Sequence, residues 1–132
     1  MKKMIFVLVI IFVSANVQMA QEKGTQTAKK QFLYLLRLDK SMWEQSAWTP
    51  EKNKIVLEHF SRLQKMLADG ILIIGGRTQN ELDKTFGIVI YEAGSFEEAK
   101  KIAEDDPAVK AGIMTVEVFP YSVALSKCDP TK

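Results

Sequence analysis

The chain of 132 residues has one cysteine, Cys128, and one histidine, His59. A single thiol excludes a disulfide within the chain, so an exported fold of this kind rests on its core, although pairing with a second chain stays open. One histidine and one tail cysteine cannot assemble a zinc site of the common Cys/His kinds. A lone imidazole supports at most one-sided haem ligation, and no CxxCH attachment motif is present. Gly75-Gly76 sits in neither GxGxxG nor GxxxxGK followed by Ser or Thr, so it is no phosphate cradle. A serine nucleophile has no GxSxG elbow to support it. No metal or cofactor is expected.

Long apolar runs are also missing. Residues 4–13, "MIFVLVIIFV", cover about half of the roughly 20 residues that a membrane-spanning helix needs. Lys2 and Lys3 precede that run, and Ser14, Ala15 and Ala20 are among the residues that follow it. This order reads as a secretory signal peptide cut after Ala20, with an uncleaved anchor as the alternative. No cysteine closely follows the run to take a lipid. Removing the two leader lysines from eighteen basic residues leaves sixteen against sixteen acids, a mature net charge of zero. Without a basic face there is no case for nucleic acid, nor for a membrane surface beyond the signal peptide.

The whole chain is 47% hydrophobic and 26% charged, the composition of one folded domain. Residues 1–20 are expected as signal peptide, 21–30 as a polar flexible leader, 31–121 as the domain and 122–132 as a tail.

Within the domain, "FLYLLRL" (32–38) is a near-continuous apolar run, expected as a central strand buried on both faces. Residues 39–48 form a loop. "WTPEK" then opens a helix: Thr49 as N-cap, Pro50 at the first position, Glu51 against the dipole, with Gly70 as the stop. At 100 degrees per residue, Ile55, Val56, His59, Phe60, Leu63, Met66 and Leu67 share one side, while Glu58, Arg62, Lys65 and Asp69 fall elsewhere. "ILIIGG" (71–76) is a second strand ended by two glycines, 77–84 a polar turn, and "FGIVIYEA" (86–93) a third strand. Ser95 with Glu98 makes a capping box for a second helix over 96–104. "MTVEVFPY" closes the domain as a strand that ends, or lies at an edge, at Pro120.

The order β-α-β-β-α-β is that of a ferredoxin-like α+β fold, four antiparallel strands carrying two helices on one face. The other face is left without cover from its own chain, and apolar residues there predict a homodimer packed sheet on sheet.

His59 lies on the buried stripe, where an unbonded imidazole nitrogen costs about 1–3 kcal/mol. Two readings stay open: a structural ring bonded to a strand carbonyl, or a ring in a pocket with a carboxylate partner. Asp106 is also open to two readings. It can cap a one-turn helix that begins at Pro107 and exits at Gly112, or it can orient His59 as carboxylates orient catalytic imidazoles. Trp43 and Trp48, the only tryptophans, fall in the loop before the histidine helix and are candidates for covering a flat apolar substrate, with packing as the alternative. Arg37 is a candidate for an acidic substrate group, Asp69 a weaker carboxylate, and Tyr34 a core residue.

The spacing of His59, Leu63, Leu67 and Gly70, Gly75 after a strand, Gly87, Glu98-Ala99, Asp106-Pro107, Lys110-Ala111-Gly112, and Val116, Val118 and Pro120 resembles the YCII-related (YciI-like) domain family over residues 31–121. The resemblance implies a dimeric α/β barrel and carries the family's histidine and aspartate onto His59 and Asp106. This chain departs from the pattern in having Gly75-Gly76 where the family has Gly-Pro, and in its export signal. Two functions remain in view. One is a cofactor-independent enzyme of isomerase or lyase type, with His59 and Asp106 as an acid-base pair acting on a small substrate. The other is a non-catalytic module that binds a small ligand on the same scaffold.

Overall fold

The computed structural model describes residues 29–127; the expected signal peptide, most of the leader and Cys128 lie outside the described residues. The elements are β1 (Lys30–Leu38), α1 (Pro50–Ala68), β2 (Leu72–Arg77), β3 (Phe86–Ala93), α2 (Phe96–Glu104), α3 (Pro107–Lys110) and β4 (Met114–Pro120). Between β1 and α1 the loop folds into two 3-10 turns, Lys40–Met42 and Gln45–Ala47. The four strands are antiparallel in the order β2-β3-β1-β4, which is the ferredoxin-like arrangement.

Caps set the helix limits. Thr49 Oγ1 accepts from the Lys52 amide at 3.3 Å, and Gly70, at φ 70°, makes the left-handed exit that a side chain would resist. In α2, Ser95 Oγ accepts from the Glu98 amide at 3.1 Å while the Glu98 carboxylate accepts from the Gly94 amide at 2.8 Å. That reciprocal pair secures the helix start.

β1 is central, yet its burial alternates. Phe32, Tyr34 and Leu36 are buried on the side of the helices, where they form one core with Met66 of α1, Ala99 and Ala103 of α2, and Val89 and Tyr91 of β3. Tyr34 and Tyr91 meet edge to face at 5.1 Å, and the Tyr91 hydroxyl donates to the Ala99 carbonyl at 2.7 Å. Leu33 and Leu35 point to the other side, in register with Ile90 and Ile88. The run is apolar on both faces, but within the chain only one face is covered by helices. Pro120 ends β4, which is also an edge strand.

Two expectations need correction. Gly75 and Gly76 do not end β2; the strand runs through them to Arg77, in register with Val89, Ile88 and Gly87. Neither glycine has a positive φ, so the backbone there is ordinary strand and the glycines do not stop it. Phe60 and Leu67, on the apolar stripe of α1, are 57% and 58% exposed. They border a cavity that separates part of the helix from the sheet.

Candidate active site

The site begins where α2 ends. Pro107 has no amide hydrogen and starts a new turn instead of extending α2. Asp106 adopts an extended backbone as N-cap of α3, and its Oδ1 accepts from the Ala108 amide at 2.9 Å. The second oxygen remains available: Oδ2 lies 2.7 Å from Nδ1 of His59. The contacts that the two readings call for are both present, one on each oxygen. Asp106 is fully buried and His59 is 9% exposed. A small apolar cluster of Met42, Ala108 and Ile113, joined by Ile55 and Val56 of α1, fastens the aspartate turn to the histidine helix.

A carboxylate offers only acceptors, so the shared proton sits on Nδ1; in the neutral form of the ring the lone pair is then on Nε2. Among the described residues Nε2 has no hydrogen-bond partner, and His59 lines the cavity. Arg62, one helical turn on, completes the cluster. Its Nη2 donates to the Ile102 carbonyl at 2.6 Å and its Nη1 is 3.7 Å from Asp106 Oδ2. This cation beside the buried carboxylate offsets part of the desolvation cost of burying it. Arg62 Nη1 and the Tyr34 hydroxyl are buried without a hydrogen-bond partner. Burial, reinforced by the nearby Asp106 carboxylate and opposed by Arg62, pushes the Tyr34 phenol far above its usual range, so it stays protonated.

The cavity holds about 590 Å³ between α1 and the β2–β3 end of the sheet, a size suited to a small molecule. Its walls are mostly apolar, with Leu36, Val56, Leu63, Leu72 and Val89 among them. Trp48 forms part of the wall, its ring fixed by a bond from Nε1 to the Met42 carbonyl at 3.2 Å. Gly75, Gly76 and Gly87 also line it, and Gly75 and Gly87, at the helix-facing positions of Val89 and Leu36, leave room there by lacking side chains.

The structure thus brings His59, Asp106, Trp48 and Arg37 to or beside one cavity, while Trp43, 40% exposed, is not among its lining residues. Asp69 is exposed and paired with Lys65 at 2.8 Å. Sequence reasoning missed Arg62 and Arg77. Arg62 lies outside the apolar stripe of α1, yet its i+3 spacing from His59 puts the two side by side. Arg77 was assigned to a turn, yet it is the last residue of β2 and lines the cavity. Among the described residues no group of three or more His, Cys, Asp or Glu side chains gathers to hold a metal ion. None of the described helices is long and apolar enough to cross a membrane.

Fold and site together define a ferredoxin-like α+β domain with a buried His–Asp pair beside an apolar cavity. The family model for the YCII-related domain matches residues 31–122, and the chain belongs to that family. Among solved structures it is similar to 5-chloro-2-hydroxyhydroquinone dehydrochlorinase (TftG) from Burkholderia phenoliruptrix AC1100 in complex with 2,5-dihydroxybenzoquinone. That likeness has 21% identity, covers 69% of this chain and 93% of the other, and has a TM-score of 0.43. No curated protein matches the chain.

Proposed function

We propose that the protein is a cofactor-independent acid-base enzyme in which His59 moves a proton at a small substrate and Asp106 holds the ring in the Nδ1–H form. The 2.7 Å contact between Nδ1 and Oδ2, with Nε2 left for the cavity, supports this reading. When Nε2 takes a proton from substrate carbon or oxygen, the imidazolium sits against a carboxylate already in place, so no reorganisation is needed to stabilise it. The same nitrogen then returns the proton at another position or to a departing group, which corresponds to isomerase or lyase chemistry. One acid-base residue contributes about 10²- to 10⁴-fold, and the cavity supplies positioning.

The test uses a panel of enolisable aryl ketones in deuterium oxide, with deuterium incorporation followed by proton NMR. Wash-in by the native chain that disappears in His59→Ala supports proton transfer. If compounds bind and raise the melting temperature equally in both chains with no wash-in by either, the protein is the non-catalytic ligand-binding module instead.

Two further features belong to this proposal. The sheet face opposite the helices carries Leu33, Leu35, Ile88, Ile90, Ile74 and Phe119, the last two 54% and 43% exposed. A two-fold self-contact would cover it, giving a homodimer. Sedimentation equilibrium returning the monomer mass would remove it. Export follows from Lys2-Lys3 and the apolar run of residues 4–13. Mass spectrometry of the mature protein should find a chain beginning at Gln21.

A further inference from the structure

The chain has fifteen lysines and only three arginines, Arg37, Arg62 and Arg77. Their placement is not that of a random solvated surface. Arg62 stands beside Asp106, and the other two line the cavity, which no lysine among the described residues does. Among the described residues no Asp or Glu lines it either. Elsewhere cations and acids meet in pairs: Lys65 with Asp69, Lys100 with Glu104, and both Lys101 and Lys110 with Asp105. Arg37 and Arg77 have no carboxylate within 4.0 Å among the described residues, and neither donates a side-chain hydrogen bond there. The Arg37 guanidinium lies over the Phe86 ring, 5.4 Å from its centroid, and Phe86 itself lines the cavity. That stacking steadies the group while leaving its N–H edge unused.

Register shows how the pair is disposed. Arg77 is opposite Gly87, and Arg37 is opposite Phe86, so the two flank adjacent positions of β3 from opposite sides. Arg77 shares the helix-facing register position of Gly87 and Leu36, which puts it on the same side of the sheet as His59. The cavity therefore combines an imidazole in one wall, apolar and aromatic surface, the Arg77 guanidinium at the end of β2, and Arg37 at the end of β1 in the register of the opposite face, with no carboxylate among the described residues pairing either arginine. A guanidinium fork matches a planar carboxylate through two parallel N–H bonds.

We infer that the cavity takes a flat, apolar molecule bearing a carboxylate, with Arg77 as the principal carboxylate-binding residue and Arg37 adding to the positive field. This rests on the acid-base reading for what happens at His59, but the recognition of charge stands without it. The apolar body lies along Trp48, Leu63 and Val89 and extends toward Nε2. Pairing with guanidinium offsets the negative charge of the carboxylate at the far end, while the near end of the molecule faces the imidazole.

The probes are trans-cinnamate and its neutral isostere cinnamamide, titrated into the full chain and followed by amide chemical shifts. The expected result is that cinnamate shifts Gly75, Gly76 and Gly87 and binds about ten-fold or more tightly than cinnamamide, the preference shrinking as salt rises. Arg77→Gln removes most of that preference and Arg37→Gln less, both side chains being exposed so that folding is not at stake. His59→Gln leaves the preference intact. Equal binding of acid and amide, or a double Arg37→Gln, Arg77→Gln chain that binds cinnamate like the native one, or no binding of cinnamate at all, overturns the inference. Failure of the acid-base reading looks different: cinnamate preference kept, with deuterium wash-in absent from every chain.

Discussion

The two ends of the cavity are built on opposite terms. At the α1–α3 junction both oxygens of Asp106 have partners, one holding the Ala108 amide and the other the His59 ring, and a buried apolar cluster locks the elements together. At the β2–β3 end, Arg77 and Arg37 are exposed and have no ion partner among the described residues, over a stretch of strand where glycines leave space. The first end is preorganised by the fold itself. The second is left for something else to complete. Stability should therefore be concentrated at one end and ligand affinity at the other.

The largest effect that tests this contrast is on folding. Asp106→Ala removes a cap and strands a buried imidazole and guanidinium, so urea melts should show a loss of about 3–5 kcal/mol, against less than about 0.5 kcal/mol for Arg77→Ala. Comparable losses would erase the distinction between the ends. Next comes a variant that separates the two duties of one side chain. A serine at this position still accepts from the Ala108 amide but cannot reach His59, so Asp106→Ser should recover the capping share, about 1 kcal/mol, while the ring loses its fixed tautomer. Long-range proton–nitrogen spectra of the single imidazole report this: the native neutral ring shows the Nδ1–H pattern, and the serine variant a mixture.

A third prediction concerns the open end. A β-carbon at Gly75 meets Leu72 Cδ1 at 3.7 Å and Val89 Cγ2 at 4.0 Å, ordinary contact without strain. Gly75→Val should change stability by less than about 1 kcal/mol yet weaken cinnamate binding by narrowing the cavity; an unchanged affinity would show that the glycines do not shape the site. The smallest effect is on pH. Bonds from Lys101 and Lys110 lower the Asp105 carboxyl to about 2 from its ordinary 3.8. A folded-state value below the unfolded one gives stability that is present above about 3.8 and lost as pH falls toward and through about 2. Asp105→Asn should thus narrow the difference in melting temperature between pH 5 and pH 2 without touching the cavity.

How much of this could be read from the chain varies with the physics of each part. The limits of α2 and β3 were legible because Ser95, Glu98 and alternating β-branched residues act locally, and α1 was bounded by Thr49-Pro50 and Gly70. The second strand, expected over 71–76, runs from Leu72 to Arg77, and only its pairing with β3 shows that it continues past the glycines. His59 and Asp106 could be singled out as a buried ring and a carboxylate before proline. Their distance could not, since it depends on how α3 packs on α1 across 47 positions of chain. Arg77 was hidden for a related reason: a strand-end arginine differs from a solvated one only in which cavity its element borders.

Asp106 has a consequence for judging relatives. Since half of its carboxylate closes a turn of the backbone, selection for folding alone would keep an Asp-Pro pair in a descendant that had ceased to turn anything over. The imidazole bonds no backbone group, so under the acid-base reading proposed above its presence or loss says more about chemistry in a relative than the Asp-Pro pair does.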